Sequence, residues 1–408
     1  MGWIGLDDTD TVEGGCTTWD FHQLLSHIEN AGYQIQKAPR LVRLWPFAPD
    51  RTRGNAALSA EIVVNQENEN DFIALLENWF EEKFRSTIHQ NQAEKSAHPS
   101  LVWSPVQFPE DWYWDGVRKY VNPEERHKQL NAIEGVHYWF SGSHRGIVGA
   151  TSSIAWRGEE DWTWEATAWR EKSAIGQSRI VSTSCVFEMS EKFPATILNR
   201  DPNAGKSLIS PRTPCPVLYG IRAEDEIVAK EAHDWLQSNE GIERAVAMRV
   251  HRSNQATGDH INEVKHGVVI SRLEEVKGGH ASISVFSEGK RYSLVAFKQG
   301  GEVNSLLRST EVGDIVEWRG LQSIEGEVHL ESLVVIDAVP RYLERPHCHC
   351  GQRFQRQGIE QPLRCSSCGG LTDSIWHGIH FDNENVWREP HPAHRRHLAK
   401  PLSREAKG

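Results

Sequence analysis

Hydrophobic residues near the start of the chain follow first the spacing of a strand and then that of a helix. Residues 2–6 form a short apolar run that ends in acidic residues, which predicts a buried strand with carboxylates at its carboxyl end. Thr17 with Asp20 three residues later resembles a capping box, so a helix is expected to begin at Thr17 or Thr18 and to end near Gly32. Its apolar face has the i, i+3, i+4, i+7 spacing of an amphipathic helix and consists of Phe21, Leu24, Leu25 and Ile28.

The next part of the chain continues this alternation. The pattern predicts strands at residues 41–44 and 57–64 and a helix at residues 71–84. A β-α-β-β-α order indicates an α/β or α+β layer. Residues 89–129 are rich in Trp and Pro and show no clear period, so we expect an irregular insertion or a cover over an active site there.

Changes of pattern divide the rest of the chain. The strand–helix–strand order within residues 163–262 is typical of a ferredoxin-like split βαβ module. The next region, up to residue 339, has five or so short strands between Gly and polar turns, which favours a small barrel and above all an OB-fold. We therefore predict a multidomain α+β fold with domains at residues 1–160, 161–262, 263–340 and 341–408.

Net charge and the length of the apolar runs limit the classes of protein to which the chain can belong. The net charge of −11 argues against a surface that coats nucleic acid, although the tail at residues 388–407 is basic. No apolar run approaches the roughly 18 residues that a membrane helix requires, and the start lacks a signal-peptide pattern. We expect a cytoplasmic protein that is monomeric.

Four of the seven cysteines crowd into one short window and predict a structural zinc site. His347 or His349 could replace Cys348 as a ligand, because the first pair has one intervening residue where a zinc knuckle usually has two. The alternative is a set of free cysteines. The predicted thiolate ligands are Cys348, Cys350, Cys365 and Cys368.

Three aspartates follow the first predicted strand and are the strongest catalytic candidates. Carboxylates packed at the end of a buried strand repel one another unless a cation compensates, and Mg²⁺ suits that position. The alternative is that they only cap turns. The residues are Asp7, Asp8 and Asp10.

A glycine turn after these aspartates delivers the start of a helix, where free backbone N–H groups can hold a phosphate. Thr18 would lie beside that phosphate with a hydroxyl able to accept a phosphoryl group. The turn residues expected at the phosphate are Gly14, Gly15 and Thr17. A second helix start with glycine, weak as a signal by itself, contains Arg145, Gly146 and Gly149.

Two polar loops are further candidates for binding a substrate, and in each case an ordinary solvated turn is as good an interpretation. The first contains Arg53 and Asn55 and could hold phosphates. The second contains Asn254, Gln255 and Thr257, whose amide and hydroxyl groups could contact base edges or a polar ligand. The sequence has no Gly-X4-Gly-Lys-Ser/Thr motif, which disfavours a P-loop enzyme.

The ordered set of motifs resembles one family, the archaeal isoleucine-tRNA 2-agmatinylcytidine synthetases, along nearly the whole chain. The similar blocks are residues 5–10 with 14–18, 41–44 with 52–55, 145–150 with Glu165 and 169–170, Asn199 and Asp201 with 216–222, 254–257 with His260, 278–280, and 396–401.

The resemblance implies a kinase-like domain at residues 1–160, followed by a ferredoxin-like domain, an OB-fold and a zinc ribbon. It implies an ATP-dependent ligase that joins agmatine to carbon 2 of the wobble cytidine in the CAU anticodon of an isoleucine tRNA. The base would first be phosphorylated, and the modified tRNA would read AUA. Thr18 aligns with a phosphorylation site of the family. The implied ligands are ATP, held by the turn at residues 14–18 and the turn at residues 145–149, Mg²⁺ at the aspartates, Zn²⁺ at the thiols, agmatine and the tRNA.

Two hypotheses from other classes remain open at this point. The chain could be a non-catalytic nucleic-acid-binding protein that uses the OB-fold and the zinc ribbon. It could also be a phosphoesterase that uses the same aspartates with a metal.

Overall fold

The structure is a computed structural model of the 408-residue chain. It describes every residue except 12–14, 50, 52–53, 90–96, 277, 359, 379–380, 383–384 and 406–408, and it describes only the backbone of 85–89, 276 and 377. The chain forms two compact units, one of residues 1–262 with 391–408 and one of residues 263–390.

One nine-stranded sheet runs through the first unit. The strands of this unit are β1 (Gly2–Asp7), β2 (Gln34–Ile35), β3 (Arg40–Arg43), β4 (Ala56–Val63), β5 (Ser100–Ser104), β6 (His137–Phe140), β7 (Thr163–Trp169), β8 (Arg200–Asp201), β9 (Lys206–Ser207), β10 (Val217–Ala223) and β11 (Ala247–Ser253). The sheet has the order β10-β7-β11-β3-β4-β1-β5-β6, with β2 paired to β4. Strands from both predicted regions thus share a sheet, and the finer division into domains stays a prediction.

Helices pack against this sheet. They are α1 (Thr17–Asn30), α2 (Glu69–His89), α3 (Asp111–Arg118), α4 (Pro123–Leu130), α5 (Arg145–Ala155), α6 (Thr183–Lys192) and α7 (Glu226–Gln237). The core that includes Ile4 and Leu6 lies against α1 and α2, whereas the core that includes Trp3 lies against α3 and α5. Since successive side chains of a strand point to opposite faces, Asp7 belongs to the α5 side.

The start of α1 confirms one part of its prediction and corrects another. The helix begins at Thr17, as expected, but Cys16 is its N-cap residue and makes no side-chain capping bond. The predicted capping box is wrong because Asp20 accepts a hydrogen bond from Thr9 Oγ1 at 2.6 Å and pairs with Lys83 at 2.9 Å. The free N–H of Thr17 is instead satisfied from outside the helix, by the carboxylate of Asp10 at 2.8 Å.

The described residues of the Trp- and Pro-rich stretch form regular elements, so the prediction of an irregular insertion is wrong for that part of the chain. α2 continues to His89, and β5, α3 and α4 follow after the residues that the structure does not describe. β5 is buried along its whole length between β1 and β6, so it shows no alternation of apolar and polar residues. Because both faces of β5 are buried, its sequence lacks the period-two alternation from which a strand is predicted.

The second unit contains the predicted small barrel. Its strands are β12 (Lys265–Val269), β13 (Glu274–Val276), β14 (His280–Ser287), β15 (Lys290–Ala296), β16 (Ile315–Gln322) and β17 (Val328–Asp337). Five of them close in the order β12-β16-β17-β15-β14-β12, with β13 added to β14. The helix α8 (Glu302–Arg308) contributes Val303, Leu306 and Leu307 to the barrel core.

The cysteine-containing segment follows the barrel in the same unit. Its strands are short and pair as two ladders: β18 (Leu343–Glu344) with β21 (His377–Gly378), and β19 (Leu363–Arg364) with β20 (Leu371–Thr372). Its small core contains Cys348, Phe354, Leu363 and Cys365.

The chain then returns to the first unit, where it includes α9 (Leu402–Glu405). The carbonyl of His397 accepts the N–H of Ala256 at 2.8 Å. Arg404 forms ion pairs with Asp161 and Glu224 at 2.8 and 3.0 Å. These contacts hold the returning segment against the sheet.

Membrane insertion finds no support in the helices. Among the residues that the structure describes, no helix has both the length and the apolar character that crossing a membrane requires.

Asn254 is predicted to be important for joining the two halves of the sheet. β3 and β11 pair over only two residues, and the buried amide of Asn254 extends that pairing: its Oδ1 accepts the N–H of Arg43 at 2.7 Å, and its Nδ2 donates to the Arg43 carbonyl at 3.0 Å. Asn254→Ala leaves both backbone groups without these partners, so we expect the free energy of unfolding to fall by about 2–4 kcal/mol. Urea denaturation followed by tryptophan fluorescence measures the change. Asn65→Ala, at an exposed position where the side chain makes no capping bond, should change it by less than about 0.5 kcal/mol; equal effects of the two variants would contradict this role.

Candidate active site

A cavity of about 600 Å³ opens at the carboxyl end of β1. One wall carries the predicted aspartates Asp7, Asp8 and Asp10. Other parts of the lining are basic or aromatic and include Trp45, Arg51, His98, Lys119, Tyr120 and Arg145. A volume of this size is within the usual range for small-molecule and cofactor sites.

Asp7 is fixed by its position in the sheet and by a glycine opposite. It ends β1 on the side that faces α5, where Gly149 comes directly against its carboxylate. A Cβ atom at Gly149 would collide with Asp7 Oδ2. Glycine is therefore required at that turn of α5 if the carboxylate is to keep its place.

Asp8 follows in a left-handed backbone conformation with φ of 57°. Its carboxylate receives two hydrogen bonds from the first residue of α5: Arg145 Nε donates to Oδ2 at 2.6 Å, and an Arg145 Nη donates to Oδ1 at 3.2 Å. The strained turn and the bidentate pair fix the direction of this side chain.

The electrostatics of this wall favour a cation. Burial raises the pKa of Asp7 well above its ordinary value, and the neighbouring Asp8 and Asp10 raise it further. Burial also raises the pKa of Asp8, although Arg145 opposes the shift. Oxygen ligands with this excess of negative charge suit Mg²⁺, which takes one or two carboxylates and keeps other positions for water and phosphate.

A second cavity of about 520 Å³ adjoins the first. The two share a wall formed by Asp10, Thr17, Asn55 and Ala56. The basic residues that line the second cavity are Arg43, Arg212, Arg222, Arg395, Arg396 and His397, against the carboxylates of Asp10 and Glu165. It therefore has a predominantly positive wall, which suits an anionic ligand such as an RNA backbone.

Thr18 lines the second cavity and not the first. Its Oγ1 accepts a hydrogen bond from the indole N–H of the buried Trp169 at 3.2 Å and lies 3.2 Å from Cys16 Sγ. Its hydroxyl is thus close to the shared wall, on the side away from the Asp7 and Asp8 carboxylates.

Glu165 is a buried anion among cations. Burial raises the pKa of its carboxyl, but Arg43, Arg222 and a hydrogen bond from Gln255 outweigh that effect, and the pKa lies below its ordinary value. Its carboxylate is 3.6 Å from an Arg43 nitrogen. Glu165 is therefore ionised and oriented by the residues around it.

The structure places the other predicted site residues in different ways. Asn55 lines both cavities and donates to the Trp45 carbonyl at 2.9 Å. Gly15 lies in the turn before α1, where its N–H donates to Thr11 Oγ1 at 2.8 Å. Gly146 packs against β5, since a Cβ there would meet Ser100 at 2.9 Å. Gly14 and Arg53 lie outside the described residues.

The polar loop after β11 lies beneath the second cavity. Asn254, Gln255 and Thr257 are buried and are not among the residues that line either cavity. Gln255 donates to Glu165 and has its Oε1 3.2 Å from His397 Nδ1, and Thr257 donates to the Asn254 carbonyl at 2.8 Å. These groups contact residues of the cavity wall.

Sequence reasoning gave no role to several residues of the two walls. Arg43, Arg222 and His397 were visible only as members of similar blocks, because a single arginine on a strand carries no periodic signal. His98 and Lys119 lie in the stretch that was expected to be irregular.

The four predicted thiols lie together in the second unit, with sulfur atoms within 4.8 Å of one another. Cys348 Sγ lies 3.4 Å from Cys368 Sγ, and Cys350 Sγ lies 3.5 Å from Cys365 Sγ. Backbone N–H donation, first from Cys368, lowers the pKa of Cys365 to about 6. His347 is not part of this group, and its Nδ1 lies 3.3 Å from the Gly351 carbonyl oxygen. The donor set fits the tetrahedral thiolate site that Zn²⁺ prefers.

Asp7→Asn should stabilise the protein when Mg²⁺ is absent. Because the pKa of Asp7 is raised on folding, its ionised form disfavours the folded state, and the lost stability returns only as the pH falls through that raised pKa. At neutral pH we therefore expect the neutral amide to raise the melting temperature by roughly 2–4 °C. Added Mg²⁺ should stabilise the wild type more than the variant.

Differential scanning calorimetry with Mg²⁺ omitted measures this effect; a chelator is avoided because it would also remove metal from the thiols. Asp337→Asn, at an exposed strand end, is the control. A melting temperature of Asp7→Asn below that of the wild type would contradict the electrostatic interpretation.

Comparison with known proteins agrees with this geometry. Family models described as the TiaS TCKD domain and the TiaS FLD domain match residues 3–142 and 144–260. The isoleucine-tRNA 2-agmatinylcytidine synthetase TiaS of Methanopyrus kandleri is 29% identical over 432 residues, which cover 98% of this chain and 96% of that protein. The protein of the same name from Methanosarcina mazei is 30% identical over 438 residues, which cover 98% of this chain and 97% of that one.

A solved structure shows the same fold. The crystal structure of a complex of TiaS with its isoleucine tRNA and ATP aligns with a TM-score of 0.81 at 24% identity, covering 99% of this chain and 97% of that chain. The two family models together span more than half of the sequence, and the matched relatives extend over almost all of it. The chain belongs to the TiaS family of isoleucine-tRNA 2-agmatinylcytidine synthetases.

Proposed function

We propose that this protein is an ATP-dependent ligase that joins agmatine to carbon 2 of the wobble cytidine of the isoleucine tRNA with a CAU anticodon. The observation that carries the proposal is the pair of adjoining cavities, one with an acidic wall and one with an arginine-rich wall, which meet at Asp10 and Thr17. A reaction between ATP and an RNA base needs two such sites side by side. Family membership supplies the identity of the tRNA and of the amine.

The chemistry follows from the weakness of the cytosine C2 oxygen as a leaving group. In the first step this oxygen attacks the γ-phosphorus of ATP, and the bond between that phosphorus and the bridging oxygen breaks to release ADP. In the second step the amine nitrogen of agmatine attacks carbon 2, and the oxygen departs with the phosphate. Phosphoryl transfer of this kind depends mainly on positioning and on charge stabilisation by the protein.

ATP is proposed to occupy the first cavity. Asp7, Asp8 and Asp10 would hold Mg²⁺, which neutralises phosphate charge when bound. Arg145 holds Asp8 in place. The nucleotide phosphates are proposed to lie beside the starts of α1 and α5, with Gly14, Gly15 and Thr17 at the first turn and Gly146 and Gly149 at the second. The N–H groups of Gly15 and Thr17 are bonded to Thr11 and Asp10, so these two residues would shape the first turn and not donate to phosphate.

The wobble nucleotide is proposed to occupy the second cavity. Bases of single-stranded loops can be splayed out of the stack, and the arginines of this wall suit the phosphates beside such a base. Asn55, on the shared wall, is proposed to contact the reacting groups, together with Arg53 of the same loop. Asn254, Gln255 and Thr257 would act by holding the wall residues from beneath.

Thr18 is proposed to be a phosphoryl acceptor beside this path. Its hydroxyl lines the second cavity, and the Trp169 N–H orients it by occupying one lone pair. Agmatine, a dication, would be attracted to the carboxylates of Asp10 and Glu165. Because tRNA is the proposed substrate, we place the enzyme in the cytoplasm.

The proposed function goes with a division of the chain into four domains. We assign a kinase-like domain, a ferredoxin-like domain, an OB-fold and a zinc ribbon to residues 1–160, 161–262, 263–340 and 341–408. The closed barrel and the thiol cluster are the parts proposed to grip the tRNA. The zinc is structural, since four thiolates leave no coordination position open.

Zinc content tests the last assignment. Inductively coupled plasma mass spectrometry should find one zinc per chain in the wild type, and Cys365→Ser should lose most of it, because Cys365 is one of the four converging thiols. Cys185→Ser, outside the cluster, should keep its zinc. A zinc-free wild type, purified without chelators, would contradict the assignment.

The central test is mass spectrometry of the wobble nucleoside after incubation with ATP, agmatine and the CAU-anticodon tRNA. The wild type should convert cytidine to 2-agmatinylcytidine. Asp8→Asn should lower the rate at least about 100-fold, because a metal ligand and the partner of Arg145 are both changed, while tRNA binding in a filter assay stays within about twofold. Tight tRNA binding with no ATP use by the wild type would favour the non-catalytic binding protein, and phosphate release from small esters without tRNA would favour the phosphoesterase.

A further inference from the structure

Arg43 lies where the two cavities meet. It ends β3, and its register partner on β4 is Ala56, which lines both cavities. The guanidinium itself belongs to the wall of the second cavity. Burial lowers the pKa of this guanidinium, and the carboxylates of Glu165 and Asp10 act against that shift.

The surroundings hold Arg43 from several directions. Its backbone N–H and carbonyl are both bonded to the Asn254 amide, at 2.7 and 3.0 Å. One guanidinium nitrogen lies 3.6 Å from the Glu165 carboxylate, and another donates to the Gly54 carbonyl at 3.3 Å. A Cβ on Gly54 would collide with that second nitrogen, so the loop approaches the guanidinium as closely as glycine allows.

One donor of this held group has no partner. Arg43 Nε is buried and makes no hydrogen bond to any of the residues that the structure describes. The Nε atoms of Arg126 and Arg252 are buried and unpartnered in the same way, but neither of these residues lines either cavity. Arg43 does line the second cavity, where a group that arrives during function can approach it. By contrast, both terminal nitrogens of Arg222, on the same wall, are bonded to the carbonyls of Leu198 and Leu208.

We infer that Arg43 is the catalytic cation that stabilises the phosphoryl group as it crosses from the ATP cavity to its acceptor in the second cavity. The inference rests on the proposed function. As the bond from the γ-phosphorus to the leaving ADP oxygen breaks and the bond to the acceptor oxygen forms, negative charge spreads over the equatorial oxygens of the phosphoryl group. Arg43 meets that charge from the wall of the second cavity, next to Ala56 of the shared wall, and brings a positive charge that is fixed in place.

Holding such a donor in place before the reaction is what makes it effective. Glu165 and the Gly54 carbonyl occupy two guanidinium nitrogens, and Asn254 fixes the strand that carries it. Because the guanidinium is already oriented in the folded protein, no free energy is spent on orienting it during the reaction. Its contact with the phosphoryl group forms only in the transition state, so it lowers the barrier. Glu165 and Asn254 act as positioning residues for Arg43.

Kinetics with three variants test the inference. Arg43→Lys keeps the positive charge next to Glu165 but loses the fixed, forked donors of the guanidinium. We therefore expect its single-turnover rate with saturating tRNA and ATP to fall about 100-fold or more. Its KM values for tRNA and ATP should stay within about threefold of those of the wild type. Arg43→Ala should be slower still, and added methylguanidinium should restore a measurable part of its rate. Arg200→Ala, which removes an arginine paired with Glu191 outside both cavities, should match the wild type.

A transition-state mimic gives a second readout. ADP with aluminium fluoride and the tRNA should bind the wild type much more tightly than Arg43→Lys, whereas ADP alone should bind both equally. A structural role would lower the melting temperature of the Arg43 variants and leave the rate per folded molecule and the fluoride complex unchanged, which would overturn the inference. A raised KM for tRNA at an unchanged rate would overturn it too, since Arg43 would then bind ground-state RNA.

Failure of the inference is separable from failure of the proposed function. If the wild type makes no 2-agmatinylcytidine, the proposed function is wrong whatever Arg43 does. If the wild type makes it and Arg43→Lys reacts at the wild-type rate, the proposed function stands and the role of Arg43 is wrong.

Discussion

The candidate active site depends on one electrostatic constraint: three carboxylates lie within a few residues at the end of a central strand, along one wall of a cavity. Each is handled differently by its surroundings. Asp8 is paired with Arg145, and Asp10 receives the N–H of Thr17 at the start of α1. Asp7 is packed against Gly149 with a raised pKa. The site is therefore short of positive charge, which is the property that suits it to the divalent cation and the nucleotide phosphates proposed above.

The second constraint is that two sequence regions share a single sheet. β11 from the second region joins β3 from the first over a short parallel contact, and the Asn254 amide extends it. This contact brings Arg43 next to Glu165, and it brings the wall of the second cavity up to Asp10 and Thr17. The two adjoining cavities are thus brought together by the pairing of two strands.

Much of this could be predicted from sequence, for identifiable reasons. The acidic end of β1 and the start of α1 are encoded locally, by an apolar run, a glycine turn and an amphipathic repeat. The barrel was predictable because short strands and polar turns recur, and the thiol cluster because its ligands are close in sequence. The position of Thr18 on the second cavity could not be predicted, because it depends on Trp169, about 150 residues away.

Other errors have the same origin in long-range packing. The capping box failed because Asp20 turns to Thr9 and Lys83, and no local pattern indicates either partner. β5 was missed because a strand covered on both faces has no polar alternation. No local pattern predicts a role for Arg43, which the sequence shows only as part of a block similar to the family. Its surroundings, including the unpaired Nε, exist only after β3, β4 and β11 have assembled.

The return of the chain to its first unit has a consequence for the timing of biosynthesis. His397, with Arg395 and Arg396 beside it, belongs to the wall of the second cavity, yet residues 263–390 form a separate unit before that segment is reached. A ribosome must therefore complete the barrel and the cysteine segment before the wall of the second cavity can close. The nascent chain has its carboxylates early and its complete second cavity last, so a prematurely terminated chain that lacks this segment lacks part of that cavity wall.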